Sequence, residues 1–386
     1  MSYVDNADVV IGLAWGDEGK GKVVSNLLAS KNNYDFVCRF NGGPNAGHTI
    51  HINGRKYKTH LVPGGIFYQK PSYIGPGCVV NVKKLKEEFD YLKSCGFNTD
   101  LVKVHPNAHI ITDEHIAYDK EHLSKLGTTG QGIAPCYADK MLRKGIRARD
   151  VLPASMLWDR PLEGNILAEG AQSVWLDPDI GDYPYVTSSS TLPYYACSLG
   201  FHTRKIGDII GVVKAYDTKS GVDPLFPETL FDDPILAKIG ELGGEYGTTT
   251  GRRRLVNYLN MDRLISAIEV TGVTNLVINK IDVLSDVNRL NIGNPFQLKY
   301  GGITFSPKPA LDNQSFYDIF RAWIRETISE ETTFDGDLIT FSRDPEYVIT
   351  PGHCECGHIF VDPKGHYLHL KSCPSCDLYF DKKFLL

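Results

Sequence analysis

Residues 12–22 read GLAWGDEGKGK, and the run from Gly16 through four residues to Gly21-Lys22 fits a phosphate-binding loop up to its last position. That position is Val23, where Ser or Thr would supply a hydroxyl to Mg²⁺, so the metal ligand must come from elsewhere, and Asp17 inside the loop is the candidate. Backbone N–H groups freed by Gly16, Gly19 and Gly21 point at an anion, with a helix N-terminus behind them. Lys20 and Lys22 with Asp17 and Glu18 make a charged turn that is costly unless it meets charge. A second group, NKID, ends an apolar run. Asp282 there offers a carboxylate to the N1–H and exocyclic amine of guanine, and the stem of Lys280 packs on the ring. A third group, GTTTGRRR (247–254), sets small hydroxyl and glycine residues before three arginines, whose forked guanidinium groups receive carboxylates bidentately.

These groups need a scaffold. Val9–Trp15 is a short apolar run breaking into the glycine-rich turn and then into KVVSNLLAS, where apolar residues recur at helical spacing, which predicts strand, loop, helix. Buried-strand patterns follow at 35–40, 209–216 and 274–280. Helical patterns at 82–94 and 261–272 are interleaved with them. The alternation predicts an α/β fold with a large, mostly parallel central sheet and flanking helices. The 386 residues are 42% hydrophobic and 23% charged, which excludes disordered and fibrous classes. Lys plus Arg (41) against Asp plus Glu (46) gives a net charge of -5, leaving no basic footprint for nucleic acid or anionic membrane. The absence of a signal-like segment or a long apolar stretch predicts a cytoplasmic protein.

Composition shifts at about residue 350, which divides the chain into a catalytic domain (1–350) and a Cys-rich appendix (351–386). The appendix holds four of the nine cysteines. Cys354 and Cys356, then Cys373 and Cys376, form two short pairs of the kind that clamp a tetrahedral Zn²⁺, with His353 and Cys356 as an alternative first pair. A tail this short has too little core to fold without a staple, so the expected role of Zn²⁺ is structural.

WGDEGKGK (15–22) followed by RFNGGPNAGHTI (39–50) resembles the signature pair of the adenylosuccinate synthetase family, and the matches continue in order. They are GTTGQGIAPCYADKMLRKG (127–145), EGAQSVWLDPDIGDYPYVTSS (169–189), VKAYDTKSG (213–221), GTTTGRRR and NKID, so the resemblance spans roughly residues 7–350. It implies a Mg²⁺-dependent ligase that joins L-aspartate to C6 of a 6-oxopurine nucleotide at the expense of GTP, through a 6-phosphoryl intermediate. By the same resemblance Asp17 is the base and, with the Gly47 carbonyl, a Mg²⁺ ligand, while His48 is the acid or hydrogen-bond donor and Lys20 joins the catalytic set. Asn45, Thr129, Gln172, Thr187 and Arg252 hold the nucleotide. Arg143 reaches its 5′-phosphate from a neighbouring subunit, which implies a homodimer with shared sites. Thr249, Thr250, Arg252 and Arg254 bind aspartate. Gly16, Gly19, Gly21, Lys22, Gly47, Thr49, Lys280 and Asp282 bind GTP.

The chain departs from the family pattern at Pro44, Gln131, Ala134, Ser220, Asp223 and in the stretch 340–349, and its length resembles compact archaeal and phage members. A phage paralogue in the 2-aminoadenine pathway performs the same chemistry on dGMP and often lacks the catalytic Asp. Asp17 therefore favours IMP, with dGMP as the alternative, because a carboxylate accepts from both N1–H and a 2-amino group. Two rivals are weaker. A GTP-binding switch would leave His48 and GTTTGRRR without purpose, and a nucleic-acid module led by the tail has no charge to support it.

Overall fold

The computed structural model describes residues 3–30, 33–52, 54–158, 160–221, 223–247, 251–306, 313–342 and 348. Its centre is an eight-stranded sheet, and every strand pair in it is parallel. From edge to edge the strands are Ile339–Phe341, Asn275–Asn279, Ile206–Lys214, Tyr3–Gly12, Glu163–Glu169, Phe36–Arg39, Ser72–Ile74 and Val102–Val104. The central strands are apolar on both faces because helices cover both, and Val9, Val10, Val212, Val213, Val277 and Ile278 are all buried.

The sheet exceeds the mostly parallel expectation, and antiparallel pairs lie outside it, in a mixed four-stranded sheet and in the hairpin His48–Ile52 with Arg55–Thr59. The first strand also starts earlier than its apolar run, at Tyr3, and ends at Gly12, so that Leu13–Trp15 belong to the loop. The extra length pairs with Glu163–Asn165, where backbone hydrogen bonding and not apolar periodicity sets the strand. The helices predicted at 82–94 and 261–272 are Val82–Ser94 and Met261–Thr271, capped by Asn81 and Asn260, whose side chains accept from Lys84 N and Arg263 N.

Strand order reverses around Tyr3–Gly12. After it the chain runs out to Val102–Val104, returns to Glu163–Glu169 on one flank, and then fills the other flank through Ile339–Phe341. Such a switch point opens a crevice at the carboxyl ends of its strands, and ligands of open α/β sheets bind there. Gly12, Arg39, Glu169, Lys214 and Asn279 all end their strands on that side. No helix among the described residues is long and apolar enough to cross a membrane.

Candidate active site

A cleft of about 1060 Å³ lies over the switch point. That is at the upper end of small-molecule sites. Gly16, Asp17, Gly19, Lys20, Gly21 and Lys22 form one wall, Asn45, Gly47, His48 and Thr49 another, and Thr129, Gln172, Thr187, Arg252, Arg254, Lys280 and Asp282 complete the lining. Residues scattered along the sequence thus meet at one place. Thr249 and Thr250 lie outside the described residues, as do Cys354, Cys356, Cys373, Cys376 and the proposed boundary at 350.

The loop turns through Gly16 (φ 98°), Asp17 (φ 64°) and Gly19 (φ 94°) before the Lys20–Ser30 helix. A Cβ on Gly19 would come within 2.9 Å of Asn279 Nδ2, which itself donates to the Glu18 carbonyl at 2.8 Å. The NKID motif is therefore tied to the glycine-rich loop by its asparagine. Glu18 is buried and fully engaged. It accepts from Gly16 N and Lys20 Nζ, each at 2.8 Å, and from Ser173 Oγ. Burial raises its carboxyl, but Lys20 and Ser173 outweigh that and hold it below the ordinary value. Lys22 Nζ donates to Ser342 Oγ at 2.7 Å, beyond the end of the Ile339–Phe341 strand.

Asp17 is the cleft's accessible carboxylate, 31% exposed, and its Oδ2 meets Arg254 Nη2 at 2.8 Å. His48 opens the hairpin strand His48–Ile52 and its Nδ1 is paired with buried Glu169. Glu169 also accepts from Gly64 N at 3.0 Å. Burial pushes this carboxyl up, yet His48, Arg39 and the Gly64 amide bring it down to about 2, so Glu169 is ionised. The imidazole is driven the other way, toward neutrality, by burial first and then by Arg39 and Lys20 against the pull of Glu169. Nδ1–H is thereby fixed toward Glu169, and Nε2 is the ring nitrogen left for a ligand.

Asp119, buried, accepts from Thr128 Oγ1 at 2.7 Å and Gly132 N at 2.8 Å and so shapes the loop that carries Thr129. Gln131, one of the departures from the family pattern, donates to the Thr129 carbonyl and accepts from Lys84 Nζ. At the far end Lys280 (φ 70°) donates to the Gly243 carbonyl at 3.0 Å. Asp282 Oδ1 is buried with no hydrogen-bond partner among the described residues, an acceptor waiting for a donor. Burial raises the Asp282 carboxyl, and Lys280 and Lys22 pull it down. Arg143 does not line the cleft. It sits on an exposed turn (φ 63°) after the Ile133–Met141 helix.

Sequence reasoning missed Glu169, Ser173, Lys214 and Glu245. All four lie inside or beside quoted motifs, but a buried ion-pair partner leaves no local pattern. The polar residues EGAQS at the end of an apolar strand were the one available signal for Glu169 and Ser173.

Mg²⁺ fits the oxygen donors present. Asp17 brings a carboxylate to an open cleft that Gly47 also lines, and no group of three or more His, Cys, Asp or Glu side chains gathers among the described residues. Mg²⁺ is commonly held by one or two carboxylates together with phosphate oxygens and water.

A glycine-turned anion loop at the switch point of a parallel sheet, with an accessible carboxylate and an imidazole–carboxylate pair facing one cleft, defines a nucleotide-dependent α/β enzyme. The family model for adenylosuccinate synthetase matches residues 9–163 and 154–336. The chain is 38% identical over 361 residues to the adenylosuccinate synthetase of Lysinibacillus sphaericus, covering 78% of this chain and 82% of that one. It is 37% identical over 390 residues to the enzyme of Desulfatibacillum aliphaticivorans, covering 85% and 89%. The fully ligated adenylosuccinate synthetase of Plasmodium falciparum superposes with a TM-score of 0.73 at 28% identity, covering 88% of this chain and 98% of that one. The succinoaminodeoxyadenylate synthetase of cyanophage S-2L, bound to dGMP and dATP, shares the fold with a TM-score of 0.60 at 21% identity, covering 82% and 99%. The chain belongs to the adenylosuccinate synthetase family and is a ligase that forms a carbon–nitrogen bond, joining aspartate to IMP at the expense of GTP.

Proposed function

We propose that the cleft performs this reaction with Asp17 as base and the His48–Glu169 pair as the group that answers charge at O6. The observation that carries the reading is the convergence of the accessible Asp17 carboxylate, the His48 imidazole and the Asp282 acceptor on one cleft. Asp17 takes the N1 proton of IMP, O6 attacks the γ-phosphorus of GTP, and GDP leaves. The amine of aspartate then attacks C6 and phosphate departs. Burial biases His48 toward its neutral form, and an arriving polyphosphate favours its imidazolium form. Its Nε2–H then donates to the oxygen passing between carbon and phosphorus, and Glu169 stabilises the imidazolium charge. Bound Mg²⁺ neutralises and orients the phosphates, and Asp17 and the Gly47 carbonyl would hold it.

Asn45, Thr129, Gln172, Thr187 and Arg252 are assigned to IMP. Gly16, Gly19, Gly21, Lys22, Thr49, Lys280 and Asp282 are assigned to GTP. Thr249, Thr250, Arg252 and Arg254 are assigned to aspartate. Asp282→Asn replaces one acceptor oxygen by an amide donor, and it is expected to erode GTP selectivity by about tenfold or more, the scale of a lost specific polar contact. Competition between GTP and ITP, which lacks the exocyclic amine, measures this, and an unchanged ratio would remove Asp282 from the reading.

Arg143 is assigned to the 5′-phosphate of the partner subunit's nucleotide. In the same stretch of chain Met141 (71% exposed), Leu142 (67%), Val151 (50%) and Ile146 (43%) are exposed apolar side chains, which a second copy would cover. Arg143→Leu alone is expected to depress activity. Mixed with an Asp17 variant it should recover, because a hybrid dimer holds one cleft with both residues intact. Mixtures no more active than their components would exclude a shared site. Cys354, Cys356, Cys373 and Cys376 are assigned to a structural Zn²⁺ on their spacing, which metal content of the purified full chain checks. The protein is assigned to the cytoplasm.

A further inference from the structure

Glu245 occupies an unusual position for a carboxylate that no step above uses. It is 1% exposed, on the short stem that leads into the 247–254 loop. Its Oε2 accepts from Arg254 Nη1 at 2.6 Å and from Lys214 Nζ at 2.8 Å, and its Oε1 accepts from Tyr216 Oη at 2.8 Å. The stem is closed by Arg254 N to the Glu245 carbonyl at 2.9 Å and by Gly247 N to the Arg252 carbonyl at 2.8 Å. Burial opposes ionisation of Glu245, but Lys214, Arg254 and Lys280 bring the carboxyl down to about 2. A chain of alternating charge results, running inward from the cleft: Asp17, Arg254, Glu245, Lys214.

The two ends of the Arg254 guanidinium differ. Nη1 lies on a buried acid with three donors around it, whereas Nη2 lies on Asp17, 31% exposed in the cleft. The inner contact is anchored and the outer one is exchangeable. We propose that Glu245 is a positioning residue, fixing Arg254 by Nη1 so that Nη2 passes from Asp17 to a carboxylate of incoming aspartate and frees Asp17 as that substrate binds. The inference rests on the assignment of Arg254 to aspartate. A planar guanidinium suits the task, since it spans two carboxylates at once where an ammonium holds one point. Lys214 and Tyr216 take up the remaining capacity of Glu245, so its carboxylate does not follow Arg254 outward.

The test uses Glu245→Asp in the full chain, which keeps the buried charge that Lys214 and Arg254 require but withdraws it by one methylene. KM for aspartate is expected to rise about tenfold or more, the scale of an ångström-level misplacement, while KM for GTP and IMP stay within about twofold. Tyr216→Phe serves as the control for a structural role. It removes a donor from Oε1 of Glu245 while Lys214 still anchors the Oε2 that holds Arg254, so it is expected to lower Tm and leave KM for aspartate within about twofold. Arg254→Leu separates the two levels of the argument. If it leaves KM for aspartate unchanged, the assignment of Arg254 fails. If it raises that KM and Glu245→Asp does not, the assignment stands and the positioning role is overturned. A Glu245→Asp enzyme in which all three KM values rise together also overturns it, because the effect is then loss of the fold around the cleft.

Discussion

Asp17→Asn is expected to reduce kcat by about 10² or more, the scale of a lost general base, with Tm close to that of the unaltered chain. The amide cannot take the N1 proton, and the neighbouring acid cannot deputise. Glu18 is 1% exposed and already bound by Gly16 N, Lys20 and Ser173. Folding should survive for two reasons. Asn tolerates the left-handed conformation that Asp17 adopts (φ 64°), and Arg254 keeps its inner contact with Glu245. Steady-state kinetics with each substrate varied provide the check. A near-normal kcat would remove Asp17 from the chemistry and leave it a metal or Arg254 partner alone.

The second large effect concerns a pair. His48→Asn and Glu169→Gln are each expected to lower kcat by about 10², comparable with loss of one preorganised donor to a developing anion. Loss of Glu169 removes the ionised carboxylate that sets the imidazole's orientation and stabilises its second proton, so His48 persists without its charge. Because the residues act as a unit, the double variant should be little worse than either single one. Independent roles would instead make the losses multiply, and that outcome would separate Glu169 from catalysis. Glu169 also receives Gly64 N at 3.0 Å, so melting temperatures must accompany the rates.

Contiguous chemistry was legible in the chain. GDEGKGK, NAGHT and NKID are local motifs in which backbone conformation and side chain work within a few residues, and the structure sets all three around one cleft. The strands at 35–40 and 274–280 and the helices at 82–94 and 261–272 were legible from apolar spacing for the same reason. Glu169, Ser173, Lys214 and Glu245 were not, because their meaning lies in partners far along the chain: Glu169 becomes a site residue only when the sheet lays its strand beside the one ending at Arg39. The early start of the first strand was hidden too, since polar residues there are held by hydrogen bonding to Glu163–Asn165. Lys22 could be assigned to phosphate by its motif, whereas its hydrogen bond to Ser342 depends on the last strand of the sheet.

The departures from the family pattern bear on substrate. Lys219 and Asp223 are both buried at 3.6 Å, with Lys219 also donating to the Tyr185 carbonyl at 3.1 Å. Burial lowers the Lys219 ammonium, against the pull of Asp223, to about 8. This pair lies beside Ser220, which lines the cleft.

The most direct measurement offers IMP and dGMP in parallel to the purified full chain with Mg²⁺, GTP and L-aspartate, and follows the succinylated nucleotide by mass. The account predicts adenylosuccinate from IMP, one GDP and one phosphate per product, and no succinylated product from dGMP. Turnover of dGMP with IMP untouched would contradict it.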